Sequence, residues 1–143
     1  MQLRGDLAPA LTVGETPAGA RRILYFTGGA FSGERLSGEV LPGGGDWILS
    51  RRDGVSELDI RMTLRTTDGA LIYLRSSGLA AISARIRAQI EAGADVDPAS
   101  YYFRTNQSYE TGAERYLWLN ARISVGVGRR TAAGMVTEVF TIL

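Results

Sequence analysis

The sequence predicts an all-β protein, a small antiparallel β-barrel of about 8–10 strands that carries one helix. Three observations predict it. Eighteen of the 143 residues are glycine, and glycine is favoured where the backbone turns sharply, so many short elements joined by tight turns are expected rather than a few long helices. From Leu58 to Arg65 the residues Leu58, Ile60, Met62 and Leu64 alternate with Asp59, Arg61, Thr63 and Arg65, the period-two pattern of a strand with one buried face. Asp68-Gly69 then separates this run from a second alternating one, which is a hairpin signal.

Taken in order, Leu3 to Val13, Arg22 to Thr27, Leu36 to Leu41 and Trp47 to Arg51 read as short strands, with turns at Gly28-Gly29, Pro42-Gly43-Gly44-Gly45 and Asp53-Gly54. Leu58 to Arg65 and Ala70 to Arg75 form the hairpin just described, the second run placing Leu71, Tyr73 and Arg75 on one side. Leu79 to Ala92 is the one helical stretch, with Ile82, Ile86 and Ile90 on one face and Gly93 as its stop. It reads as a packing element that carries no chemistry. Tyr101 to Thr105 is a further short strand, and Tyr116 to Val127 a long one, with Leu117, Leu119, Ala121, Ile123, Val125 and Val127 on one face. A loop over Gly128 to Gly134 leads to its mate, Met135 to Ile142. Closing such a set of strands into a barrel removes the exposed edges.

The length suits a single domain over residues 1–143 with one core. Sixteen basic against fifteen acidic residues give a formal charge of +1, so no long-range field draws in a polyanion and no nucleic-acid partner is expected. The doublets Arg21-Arg22, Arg51-Arg52 and Arg129-Arg130 read as solvated surface pairs. The chain has no cysteine, no histidine and no lysine, all sixteen basic residues being arginine. Disulfides, thiolate nucleophiles, Ser-His and Cys-His pairs, and side-chain Schiff bases are thereby excluded. Nothing spaces Asp46, Asp53, Asp59 and Asp68 like a calcium loop, and Gly43-Gly44-Gly45-Asp46-Trp47 lacks the residues of a nucleotide fingerprint. No metal and no cofactor are expected. The first eleven residues include Arg4 and Asp6 and do not resemble a secretion signal, and no apolar run is long enough to cross a bilayer. A cytoplasmic location, with no membrane partner, is the expectation, and Asn106-Gln107-Ser108 is then not a glycosylation site.

Functional candidates come from the polar faces of the strands. Alternation leaves open which face lines the barrel. Either the aliphatic set fills it, or the polar and aromatic set points inward around a ligand. Trp118 favours the inward choice, because a large ring with one polar atom is common as a cavity wall. The candidate lining is then Asp46, Trp47, Arg104, Tyr116, Trp118 and Asn120, with Asp59 as acid or base and Arg61 or Tyr73 stabilising negative charge. Asp59 and Arg61 can equally be a structural ion pair.

Gly38-Glu39-Val40-Leu41-Pro42-Gly43-Gly44-Gly45-Asp46-Trp47, Arg52-Asp53-Gly54, Leu58-Asp59-Ile60-Arg61, Thr67-Asp68-Gly69, Tyr102-Phe103-Arg104-Thr105, Tyr116-Leu117-Trp118-Leu119-Asn120 and Gly126-Val127-Gly128 together resemble the bacterial family called domain of unknown function 3237. That resemblance covers nearly the whole chain and implies a calycin-like barrel of the kind that holds a small apolar or aromatic ligand. It implies no activity. The function expected is therefore binding of a small organic molecule, with cofactor-independent proton transfer (isomerase, cyclase or lyase) on an aromatic or carbonyl compound as its catalytic form. The alternative is a non-catalytic carrier or an interaction protein acting through a homodimer surface.

Overall fold

The computed structural model describes residues 1–143. Ten strands form one antiparallel sheet: β1 Gln2–Leu7, β2 Leu11–Thr16, β3 Gly19–Ser32, β4 Ser37–Val40, β5 Gly45–Ser50, β6 Ser56–Thr66, β7 Leu71–Ala81, β8 Tyr102–Glu110, β9 Ser124–Arg130 and β10 Gly134–Thr141. The ladder runs β1-β10-β9-β8-β7-β6 and returns through β4 and β5 to β3, which pairs with β1 and closes the barrel. β4 and β5 stand end to end between β3 and β6 as one stave, and β2 lies outside on β3, so eight staves make the wall.

Side-chain parity decides the interior. Along β6, Ser56, Leu58, Ile60, Met62, Leu64 and Thr66 are buried and the residues between them face outward. Ile72, Leu74 and Ser76 of β7 complete the same wall. Twenty-one buried apolar residues form one cluster that fills the barrel, so the aliphatic face lies inside and the polar face outside. Stabilisation from apolar burial drives this choice, each fully buried aliphatic side chain contributing about 1.5–3 kcal/mol.

Two elements close the ends. Helix α1, Ala84–Glu91, joins β7 to β8 over one mouth. Its first turn is capped by the Ser83 hydroxyl, which accepts from the Ile86 amide at 3.3 Å, and Gly93 at φ 87° ends it. The helix begins later than its hydrophobic pattern suggests, since Leu79 to Ala81 continue β7. At the other mouth lies a 3-10 helix, Glu114–Ala121. The run from Tyr116 to Val127 is therefore not one strand: Tyr116 and Leu119 are buried, the spacing of three that a 3-10 helix stacks on one side. β9 begins at Ser124 and departs from the apolar-in pattern of β6 and β7, with Ser124, Gly126 and Gly128 inside and Val125 and Val127 outside. Large side chains from β8 take the interior space there. A Cβ on Gly128 would lie 2.6 Å from the Phe103 ring, and one on Gly126 would lie 2.4 Å from Thr105 Oγ1.

Candidate functional site

A cavity of about 110 Å³ lies under α1, at the mouth formed by the start of β3, β5, the start of β6 and the end of β9. Its size approaches the roughly 150 Å³ of apolar cavity that takes up a benzene ring. Leu24, Ile48, Leu58, Ile90 and Phe103 give it an apolar wall, while Arg22, Asp46, Arg87, Glu91 and Arg130 bring charge to it. Each charged group arrives by simple parity. β3 and β5 pair Leu24 with Asp46 and Arg22 with Ile48, so all four side chains share the inward face. Arg130 follows Ser124, Gly126 and Gly128 on the inner face of β9. Arg87 and Glu91 lie four apart on α1 beside the buried Ile90.

Asp46 is the centre of this site. It is 4% exposed and accepts one hydrogen bond, from the Asp59 amide at 3.1 Å. That amide is free because the β5–β6 ladder opens. Gly45 and Asp46 pair with Arg61 and Ile60, pairing resumes at Leu49–Glu57, and the two residues between have no β6 partner. In the gap, the Trp47 carbonyl accepts from the Arg21 guanidinium at 2.6 Å, and the Asp46 carboxylate takes up the Asp59 N–H. Burial pushes the Asp46 carboxyl up to about 7, partly offset by the Asp59 amide and by the positive charges of Arg130 and Arg22. A carboxyl poised there can take or give a proton near neutrality.

Burial also lowers the Arg22 and Arg130 guanidiniums from their ordinary value, although an arginine stays charged throughout the physiological range. Their side chains form no ion pair and donate no hydrogen bond within the protein: the seven ion pairs all lie elsewhere, and the arginine donors that do bond are others. Three guanidiniums against two carboxyls make the cavity unfavourable for a metal cation and favourable for negative charge.

Of the residues singled out from sequence, Asp46 alone lines this cavity. Asp59 and Arg61 pair with each other at 3.3 Å on the outer wall, their side chains 46% and 45% exposed. Tyr73 is also on the outside, opposite Thr63 and Glu110. Trp47, next to Asp46 and so of opposite parity, packs on the exterior against Tyr25 edge-on at 6.2 Å, with Arg61 above it at 5.5 Å. Arg104 lies over the exposed Tyr102 ring. Tyr116, Trp118 and Asn120 are at the far mouth. The Tyr116 hydroxyl donates to Asp68 at 3.0 Å, Trp118 lies beneath Arg35 at 3.6 Å, and Asn120 bonds both backbone groups of Thr111. The inward polar face is thus corrected for Asp59, Arg61, Tyr73, Trp47 and Arg104, because apolar side chains occupy the bore, while Asp46 and Tyr116 do turn inward. Two doublets taken for surface pairs are corrected with it: consecutive residues of a strand face opposite ways, so Arg22 and Arg130 turn in while Arg21 and Arg129 turn out. The helix, read as a packing element, also brings Arg87 and Glu91 to the cavity wall.

The family model described as "Protein of unknown function (DUF3237)" matches residues 1–142. The chain belongs to this family. A UPF0311 protein of Rhodopseudomonas palustris (strain TIE-1) is 35% identical over 139 residues, which is 97% of this chain and 89% of that protein. A solved structure of a conserved protein of unknown function from Rhodopseudomonas palustris superimposes with a TM-score of 0.92 at 33% identity, covering 99% of this chain and 93% of that one. A β-barrel like protein from Acinetobacter baumannii AYE gives 0.85 at 39% identity, covering 98% and 90%. An enzyme from Penicillium herquei shares the fold alone, with a TM-score of 0.71 at 20% identity, covering 97% of this chain and 90% of that one. The names of the UPF0311 relatives state no reaction.

Proposed function

We propose that the cavity under α1 binds a small, partly apolar organic molecule, and that Asp46 moves a proton on a carbonyl compound held there. The observation that carries this reading is a carboxyl only 4% exposed, held at about 7, sharing a cavity with two guanidiniums that have no partner. Ionised Asp46 removes a proton beside the carbonyl, and the electron pair moves onto the carbonyl oxygen. Arg130 and Arg22 stabilise the enolate that results. Returning the proton to another carbon is an isomerisation; attack by the enolate carbon within the same molecule is a cyclisation; loss of a group from the adjacent carbon is a lyase reaction. The protons and electrons balance within the substrate, so no cofactor is called for. Asp59, Arg61 and Tyr73 have no part in this scheme because they face outward.

Phenylacetone in D2O provides the test. The protein is expected to accelerate exchange of its benzylic protons, followed by NMR, and Asp46→Asn to lose about 10²–10⁴-fold, the usual contribution of a positioned acid–base group. Equal exchange by the Asn variant would overturn the assignment. The non-catalytic alternative draws on one further observation: Val125, Val127 and Phe140 are exposed, and Val125 and Phe140 are cross-strand partners, which is an apolar patch suited to self-association. A concentration-dependent mass in sedimentation, lost in Phe140→Glu, tests that reading.

A further inference from the structure

The cavity has a charge pattern that selects among ligands. Arg22 on β3, Arg130 on β9 and Arg87 on α1 face it together with Asp46 and Glu91. A guanidinium carries five N–H donors in a planar fork. Those of Arg22 and Arg130 meet no acceptor in the protein, and Arg87 donates once, to the Ile82 carbonyl at 3.5 Å. Buried or half-buried charged donors without acceptors are unfavourable, and the half-buried arginines elsewhere in this chain have acceptors: Arg51 binds both Asp53 and Glu57, Arg21 donates to the Trp47 carbonyl and Arg104 to the Phe103 carbonyl. Arg35, Arg52, Arg75 and Arg85 also lack an acceptor but are exposed to water, whereas the two half-buried arginines without one, Arg22 and Arg130, both stand in the hollow mouth with Leu24, Ile48 and Phe103.

We propose that the ligand of this site is an organic monoanion, a carboxylate on a small flat apolar body, with the carboxylate held by Arg22 and Arg130 and the body against Leu24, Ile48 and Phe103. This inference rests on the small-molecule reading of the cavity above and names the class of molecule that enters it. A carboxylate matches the planar fork, and with Asp46 protonated three guanidiniums face Glu91 alone, an excess of positive charge that an anion reduces. The donors that lack acceptors here are the planar guanidiniums of Arg22 and Arg130, whose forks fit a carboxylate. Binding is coupled to protonation of Asp46, whose surroundings are Arg22, Arg130, Asp59 and, from α1, Arg87 and Glu91. An ionised Asp46 repels the incoming anion, so affinity falls as Asp46 ionises, and the complexes in which Asp46 is ionised are the ones that transfer a proton.

Benzoate and its neutral isostere benzamide, titrated into the full-length protein by NMR, test this. Benzoate is expected to bind at least about tenfold tighter than benzamide near pH 6, to weaken several-fold by about pH 8, and to lose that pH dependence in Asp46→Asn. Arg22→Met and Arg130→Met are each expected to remove the preference for benzoate. Benzamide binding as tightly as benzoate to the wild-type protein would overturn the anion assignment while leaving the cavity reading intact. Inorganic phosphate competing as well as benzoate would also overturn it, showing an unselective anion sink. Failure of both aromatic probes to bind would overturn the small-molecule reading and this one with it.

Discussion

The two mouths of the barrel are built from opposite ends of the same strands and differ in how they handle charge. At the mouth closed by Glu114–Ala121, Tyr116 and Leu119 are 4% and 3% exposed and plug the bore with Phe31 and Tyr109. The charged groups there stay outside and satisfy one another: Asp68 accepts from the Tyr116 hydroxyl and pairs with Arg115 at 3.1 Å. The Thr66 hydroxyl, bonded to Asp68, is the first reason its carboxyl is held below the usual range. At the mouth under α1 the charged groups turn inward and have no ion-pair partner. Asp46 there is pushed the opposite way, up to about 7, by burial. Paired carboxylates at a surface stabilise a fold modestly, whereas a desolvated carboxyl opposes folding and is ready to exchange a proton. The packed mouth therefore holds the barrel together, and the hollow one is where the proposed chemistry is placed.

The largest effect that sharpens this contrast is at Asp46. In addition to the loss of proton exchange, Asp46→Asn is expected to stabilise the protein at alkaline pH. Unfolded, the group titrates near 3.8 and folded at about 7, so the folded state holds a proton that the unfolded chain has released. That stabilisation is whole below 3.8 and is lost as pH rises through about 7. The penalty above pH 7 is about 4 kcal/mol, at about 1.4 kcal/mol per pK unit. Asn keeps an acceptor for the Asp59 amide without the charge. Denaturant melts of both proteins from acid to alkaline pH check this, and parallel pH profiles would count against it.

The packed mouth predicts the opposite outcome. Leu119→Ala removes a buried side chain and is expected to lose about 2–5 kcal/mol of stability at every pH, read from the denaturation midpoint, with binding of benzoate under α1 unchanged. A smaller effect, combining stability and function, is expected at Gly128→Ala, whose added methyl would stand 2.6 Å from the Phe103 ring. It is expected to destabilise by about 1–3 kcal/mol and, by moving Phe103 into the cavity, to weaken ligand binding in an NMR titration. The smallest effect is at Asp59→Asn. Its ion pair with Arg61 is nearly half exposed, so the change in stability is expected to stay below about 1 kcal/mol and phenylacetone exchange to remain at the wild-type rate.

Most of the fold is legible from residue order, and the places where it is not have physical reasons. The β6–β7 hairpin is plain because Leu58 to Leu64 alternate strictly and Asp68-Gly69 fits the turn. Tyr116-Leu117-Trp118-Leu119 is ambiguous because four consecutive bulky residues satisfy a period of two or of three, and only docking of Tyr116 and Leu119 on the bore selects three. β9 inverts the apolar-in rule because Phe103 and Gln107 leave room for nothing larger than serine or glycine at its inner positions. The site is less legible than the fold. Asp46 stands out as a carboxyl in a strand, yet Arg22 and Arg130 sit in doublets that look like surface charge. Parity is the signal that identifies them, since two charges in succession within a strand place one on each face.

Isotope-edited NMR of the Asp46 carboxyl carbon across the acid-to-neutral range tests the central claim most directly. The account predicts a midpoint at about 7, the value that burial at the hollow mouth imposes. A midpoint near 3.8, the ordinary aspartate value, would show the carboxyl in contact with bulk water and would contradict the proposed chemistry of the cavity.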